Sequence, residues 1–236
     1  GNHANRKILN YLCPPDLYYY CTNGSNMVVN GVFNGSGRPN KDPTYDYSDY
    51  GVRGRIAPNL FKPIRNATDL SFTFCRCPLL LPYKWNNSTN GDIGEMFSSQ
   101  MFAGMNKLAN ISSMFYFTVI PANVIIPVEF VVDCINLQDI SQLFLAADFQ
   151  STAAQAQQVD DNIFAKNVNL RNISYAFASG QSQGDWSSRS PKKISSTLFN
   201  ANKHKQLTNV TGVFYNATST TGSVPEFWNW LNSLSS

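Results

Sequence analysis

The chain has 236 residues, of which 14% are charged and 13% aromatic, with a formal net charge of +3. Its low charge, set against roughly 25% in an average soluble domain, leaves the polarity to 27 Asn, 24 Ser and 13 Thr, and the small net charge does not by itself argue for nucleic-acid binding. The most apolar stretch, residues 111–137, is broken by Pro121, Asn123, Pro127, Glu129 and Asp133, which excludes a membrane-spanning helix there.

In chain order, residues 1–66 are dense in turn and breaker residues and hold seven of the 11 tyrosines, Tyr11, Tyr18, Tyr19, Tyr20, Tyr45, Tyr47 and Tyr50. This composition predicts an extended N-terminal arm lying across a neighbouring surface. From Thr68, alternation of Leu70, Phe72 and Phe74 with Ser71, Thr73 and Cys75 predicts a strand. Asp92 with Glu95 three residues later resembles a capping box, and Ile93, Phe97, Met101, Met105 and Leu108 recur at helical spacing, so a helix is expected over 92–108 with its methionines in the core.

Residues 111–120 and 124–134 then read as an antiparallel strand pair joined at residues 120–123. Val124, Ile126, Val128, Phe130, Val132 and Cys134 form the buried row. Residues 139–149 suit a short helix or a strand, and Asp160 and Asp161 a solvated loop. A change of apolar phase between Val168–Leu170 and Ile173–Tyr175–Phe177 suggests a bulge near Arg171. A late strand is expected in 208–218, and a short terminal helix with Phe227, Leu231 and Leu234 on one side. No internal repeat is evident.

Catalytic signals are sparse. Residues 180–184, GQSQG, fit the G-x-S-x-G nucleophile elbow and nominate Ser182, but loop composition follows where a helix is required, and only Asp185 and His204 remain as partners. The other histidine, His3, has no ligand-spaced neighbour. A zinc site built from Cys13, Cys21, Cys75 and Cys77 lacks the usual gaps. No catalytic, cofactor-binding or metal site is expected, and the chain is not expected to be an enzyme.

Five cysteines cannot all pair within the chain; Cys13 with Cys21 is one conceivable disulfide, and reduced thiols are the other reading. Two loose basic clusters, Arg53, Arg55, Lys62 and Arg65, and Arg189, Lys192, Lys193, Lys203 and Lys205, suit solvated loops or weak phosphate contact. Asn-x-Ser/Thr sequons stand at Asn23, Asn34, Asn66, Asn86, Asn87, Asn110, Asn172, Asn209 and Asn216. Chance would place roughly four. The excess favours a secreted or surface-exposed N-glycosylated β-sandwich ectodomain as the alternative reading.

The order of strand, capped helix and strand pair in residues 94–134 resembles the jelly-roll capsid proteins of picorna-like viruses, as do the low charge, the arm and the initial Gly. The resemblance implies an all-β, eight-stranded antiparallel jelly roll at 67–220, an arm at 1–66 and a tail with a short helix at 221–236. It further implies a structural subunit of an icosahedral virion, assembled in host cytoplasm with related coat proteins. Weak nonspecific contact with genomic RNA and a host receptor complete the partners it implies.

Overall fold

The computed structural model describes residues 27–28, 60–75, 97, 99–120, 124–149, 157–179, 191, 193–195, 197–215, 229–230 and 233–234. Its organising feature is a column of residues joined by parallel bridges: Asp69 to Asn110, Asn110 to Asp139, Asp139 to Asn172, and Asn172 to Asn209. Each belongs to a short segment, 68–75, 109–117, 138–146, 171–179 or 208–215, and these segments stack as the five rungs of a solenoid. Taking the bridged residue as position 0, the amides at +1, +3 and +5 donate to the carbonyls at 0, +2 and +4 of the next rung. Leu70, Phe72 and Phe74 thus donate to Asn110, Ser112 and Met114 at 2.9, 2.9 and 3.1 Å. The same pattern recurs at the next three interfaces, ending with Ile173, Tyr175 and Phe177 donating to Asn209, Thr211 and Val213, each at 2.9 Å. These bonds run from the earlier rung to the later, and at positions −1 and 0 the direction reverses, as where the Ala109 and Asn110 amides donate back to the Thr68 carbonyl at 2.9 and 3.1 Å.

Within a rung the backbone does not stay extended. The amide at +4 returns to the carbonyl at +1, as from Met114 to Ile111 at 3.2 Å, and the amide at +6 to +3, as from Tyr116 to Ser113 at 3.2 Å. Between these overlapping turns position +3 is left-handed in every rung: Phe72, Ser113, Gln142 and Tyr175 have φ of 57, 55, 56 and 55°, and Gly212 has 57°. The left-handed residue breaks the alternation of a strand, so +1, +4 and +5 all face inward while +3 faces out.

The inward positions form continuous columns. Leu70, Ile111, Ile140, Ile173 and Val210 occupy +1 and are buried; Phe74, Phe115, Phe144, Phe177 and Phe214 occupy +5, with only Phe214 partly exposed. Adjacent phenylalanines in this last column stack at centroid separations of 5.8, 5.6, 5.6 and 6.0 Å, with interplanar angles of 24, 11, 28 and 27°. In-register parallel stacking places like side chains over one another, and every rung depends for its burial on its neighbours. On the returning side, Ala67, Leu108, Leu137, Leu170 and Leu207 at −2 are also buried.

Two short parallel pairs flank the ladder. β1 (Met27–Val28) pairs with β2 (Ala67–Asp69), bringing Val28 against Asp69. β3 (Val119–Ile120) pairs with β4 (Asp148–Phe149). The sequence after Val28, Val-Asn-Gly-Val-Phe, repeats the fifth rung's Val-Thr-Gly-Val-Phe at 210–214.

Several expectations are corrected. Residues 111–120 and 124–134 are not antiparallel partners: β3 runs parallel to β4, and Ile126 bridges in parallel to Val159. Alternating burial is common to both pairing senses, so the pattern could not distinguish them. Residues 99–108 are turns rather than helix, although Phe97, Met101, Met105 and Leu108 are buried as expected. Successive three-residue turns, from Phe102 to Met105 and from Met105 to Leu108, generate nearly the same apolar spacing. Phe72, expected inward with Leu70 and Phe74, is 42% exposed, turned out by its left-handed backbone.

The bulge near Arg171 is the turn at Asn172, and residues 138–146 are a rung rather than a helix. Leu60, Phe61 and Ile64, placed in the arm by composition, are buried in the common core. Internal repetition is the rule of the described region. Among the described residues the inter-rung pairing is parallel, so the antiparallel jelly-roll expectation finds no support there. The arm's tyrosines lie outside the described residues, as do the capping pair Asp92 and Glu95. Residues 229, 230 and 233 are helical, and Trp230 and Leu234 pack on the core.

Candidate functional site

Position 0 carries the polar chemistry that shapes each rung. Its side-chain oxygen accepts the amide at +2: Ser71 to Asp69 at 2.7 Å, Ser112 to Asn110 at 2.8 Å, Ser141 to Asp139 at 2.8 Å, Ser174 to Asn172 at 3.1 Å and Thr211 to Asn209 at 3.2 Å. These Asx turns are local bonds that Asp and Asn make readily. Between rungs, Asn110 Nδ2 donates to Asp69 Oδ2 at 3.2 Å and Asn172 Nδ2 to Asp139 Oδ2 at 3.1 Å. The amide is the donor and the carboxylate the acceptor, so alternating Asn with Asp joins rungs that two carboxylates would force apart.

This ladder explains part of the sequon excess. Asn110-Ile-Ser, Asn172-Ile-Ser and Asn209-Val-Thr fulfil the same structural role as Asp69-Leu-Ser and Asp139-Ile-Ser, which are not sequons. The Asn110 and Asn172 amides are already committed to carboxylates. Asn66 is exposed; the remaining sequons lie outside the described residues.

A second column is buried and turns polar in the last two rungs. Position −5 holds Ile64, Met105, Cys134, Asn167 and His204. Asn167 Nδ2 reaches back to the carbonyls of Val131 and Cys134, both at 2.9 Å. His204 Nδ1 accepts the Asn200 amide at 2.8 Å, and Nε2 lies 3.0 Å from the Phe164 carbonyl. Both contacts are satisfied when Nε2 carries the single proton and donates it. Burial pushes the His204 pKa below its ordinary value, the Phe164 carbonyl opposes that shift, and Lys203 adds to it. His204 is therefore a structural plug in the fifth rung rather than a general base, while Ser182 and Asp185 lie outside the described residues. Cys75 and Cys134 are buried thiols not joined in a disulfide, and burial first, then the nearby Asp133, pushes the Cys134 pKa up. Cys13, Cys21, Cys77 and His3 lie outside the described residues. Among the described residues no metal-holding cluster occurs, and no helix is long and apolar enough to cross a membrane.

Two outer surfaces remain, and they differ sharply in charge. Positions +2 to +6 carry no Asp, Glu, Lys or Arg in any of the five rungs. Their side chains include the hydroxyls of Ser71, Ser112, Ser141, Ser174 and Thr211, of which Ser141 and Thr211 are not buried, and outward aromatics at Phe72, Tyr116, Tyr175 and Tyr215, with Phe117 just beyond. Phe72 and Tyr215 are 42 and 52% exposed. The opposite edge, residues 62–68, 103–109, 132–138, 165–171 and 200–208, carries Lys62, Arg65, Lys107, Lys166, Arg171, Lys203 and Lys205, all exposed. Its one acid is Asp133, whose Oδ2 accepts the Gly104 amide at 2.8 Å. The stack thus joins Lys62 and Arg65 to Lys203 and Lys205, which the sequence assigns to separate clusters. Arg53, Arg55, Arg189 and Lys192 lie outside the described residues.

No family model, curated protein or solved structure matches the chain.

Proposed function

We propose that the chain is a noncatalytic structural protein that self-associates through the uncharged aromatic face of its solenoid. The observation that carries this reading is the absence of charged residues at positions +2 to +6 of all five rungs, beside a strongly charged opposite edge. Association surfaces are depleted in Lys, Glu and Asp and enriched in Tyr and Phe, because charges are costly to desolvate and aromatic rings gain most from burial. Phe72 and Tyr215 are the most exposed anchors on that face. A coat role requires a structural, self-associating subunit, but the specific capsid resemblance rested on an antiparallel block, so the reading here rests on the solenoid face.

Sedimentation velocity of the purified chain over a concentration series tests it. Oligomers are expected, and Phe72→Ser combined with Tyr215→Ser should leave a folded monomer, since serine already occupies the equivalent left-handed position at Ser113. A folded wild-type chain that stays monomeric at millimolar concentration overturns the reading.

A further inference from the structure

We infer that the cationic edge of the solenoid binds the sugar-phosphate backbone of double-stranded nucleic acid. The seven cations lie in chain segments that are far apart in sequence and are brought to one edge only by the rung register. None of the seven makes an ion pair among the described residues. Lys62 and Arg65 belong to the first rung, Lys107 to the second, Lys166 and Arg171 to the fourth, and Lys203 and Lys205 to the fifth. The third contributes Asp133 and the half-exposed Ile135.

Parallel rungs rise by about 4.8 Å each, so the second and fourth lie about 10 Å apart and bracket a centre without cations, whose one charge is the Asp133 carboxylate. That separation is on the scale of the roughly 12 Å width of a major groove in B-DNA, whose rims are two phosphate ridges. An isolated flexible polyanion would be held better by an unbroken row of charge. The edge segments contain no Phe, Tyr or Trp, and a surface for single strands relies on aromatic stacking of unpaired bases. Binding through phosphates alone is independent of sequence and falls with salt as counterions are released.

Fluorescence anisotropy with a short labelled DNA duplex, and separately an RNA duplex, over a salt series provides the test. The slope of log affinity against log salt should lie at about −4 to −6, at about −0.9 per neutralised phosphate. Replacing Lys166, Arg171, Lys203 and Lys205 together by Gln should flatten it by about 3 to 4. All four are exposed, so the melting temperature should be unchanged. The Phe72→Ser/Tyr215→Ser chain should bind as the wild type does, which separates this inference from the self-association reading. The inference is overturned if neither duplex binds at low salt, or if the four-Gln variant keeps the wild-type slope. It is likewise overturned if single strands bind more tightly than duplexes, or if a sulfated polysaccharide binds where duplexes do not.

Discussion

Tyr175 and Gly212 occupy the same left-handed position on adjacent rungs, and the tyrosine ring lies so close over the glycine that a Cβ there would sit 2.5 Å from Cε1. Glycine at this point answers two demands at once: a φ of 57° and the space taken by the ring. Gly212→Ala should therefore destabilise the fifth rung by about 1–3 kcal/mol, from left-handed strain and overpacking together. The steric share should return in Tyr175→Ala/Gly212→Ala. A double-mutant cycle by urea unfolding measures the coupling, and strict additivity of the two changes would contradict the contact.

The phenylalanine column makes a graded prediction. Phe144 is 1% exposed and is stacked between Phe115 and Phe177, so Phe144→Ala should cost about 3–5 kcal/mol. Phe214, partly exposed on the last of the five rungs, should cost less. Equilibrium denaturation of the two variants checks the order, which follows from nearest-neighbour burial and would not hold if the column were incidental.

Gln142 tests the left-handed backbone directly. Its φ of 56° costs a residue with a side chain about 1–2 kcal/mol, and its Oε1 accepts a 3.2 Å bond from Ser113 Oγ. Gln142→Gly should be neutral or stabilising by up to about 1 kcal/mol, and Gln142→Val destabilising by about 1–2 kcal/mol. Thermal melts of the pair settle the sign; equal effects from both would remove the turn geometry as the cause.

His204 sets a pH dependence. The folded chain holds the imidazole neutral and its pKa lowered, so the unfolded chain binds the proton more readily. Stability is then fully present above the ordinary histidine value of about 6.5 and is lost as pH falls from there toward the lower folded value. A second proton on the ring would also set Nδ1–H against the Asn200 amide. Urea midpoints should fall over this window for the wild type and stay flatter for His204→Gln. Amide exchange at residues 200–215 should accelerate first, because the plug serves that rung.

Much of the burial was legible in the sequence and little of the topology. Alternation placed Leu70, Phe74, Ile126, Phe130 and Cys134 inside, and the structure buries them all, because inward columns need apolar residues whatever the sense of pairing. The left-handed residue was not legible at Phe72 or Tyr175, where a bulky aromatic stands in a conformation that usually favours glycine.

The repeat itself was obscured by unequal intervals and by interchange of Asp with Asn, Leu with Ile or Val, and Ser with Thr. Aligned on position 0, the signal is plain: Asp or Asn, an aliphatic residue, Ser or Thr, two variable residues and Phe, at 69–74, 110–115, 139–144, 172–177 and 209–214. Three of these motifs surfaced as sequons and pointed toward glycans instead of turns. The uncharged face and the cationic edge could be seen only once that register was known.

The parallel order of the rungs gives the molecule a head and a tail. A second copy continuing the same parallel stack would have to join tail to head, the first rung of one copy against the fifth of the other. Growth of that kind does not close on itself as a twofold dimer does, and its natural product is a filament.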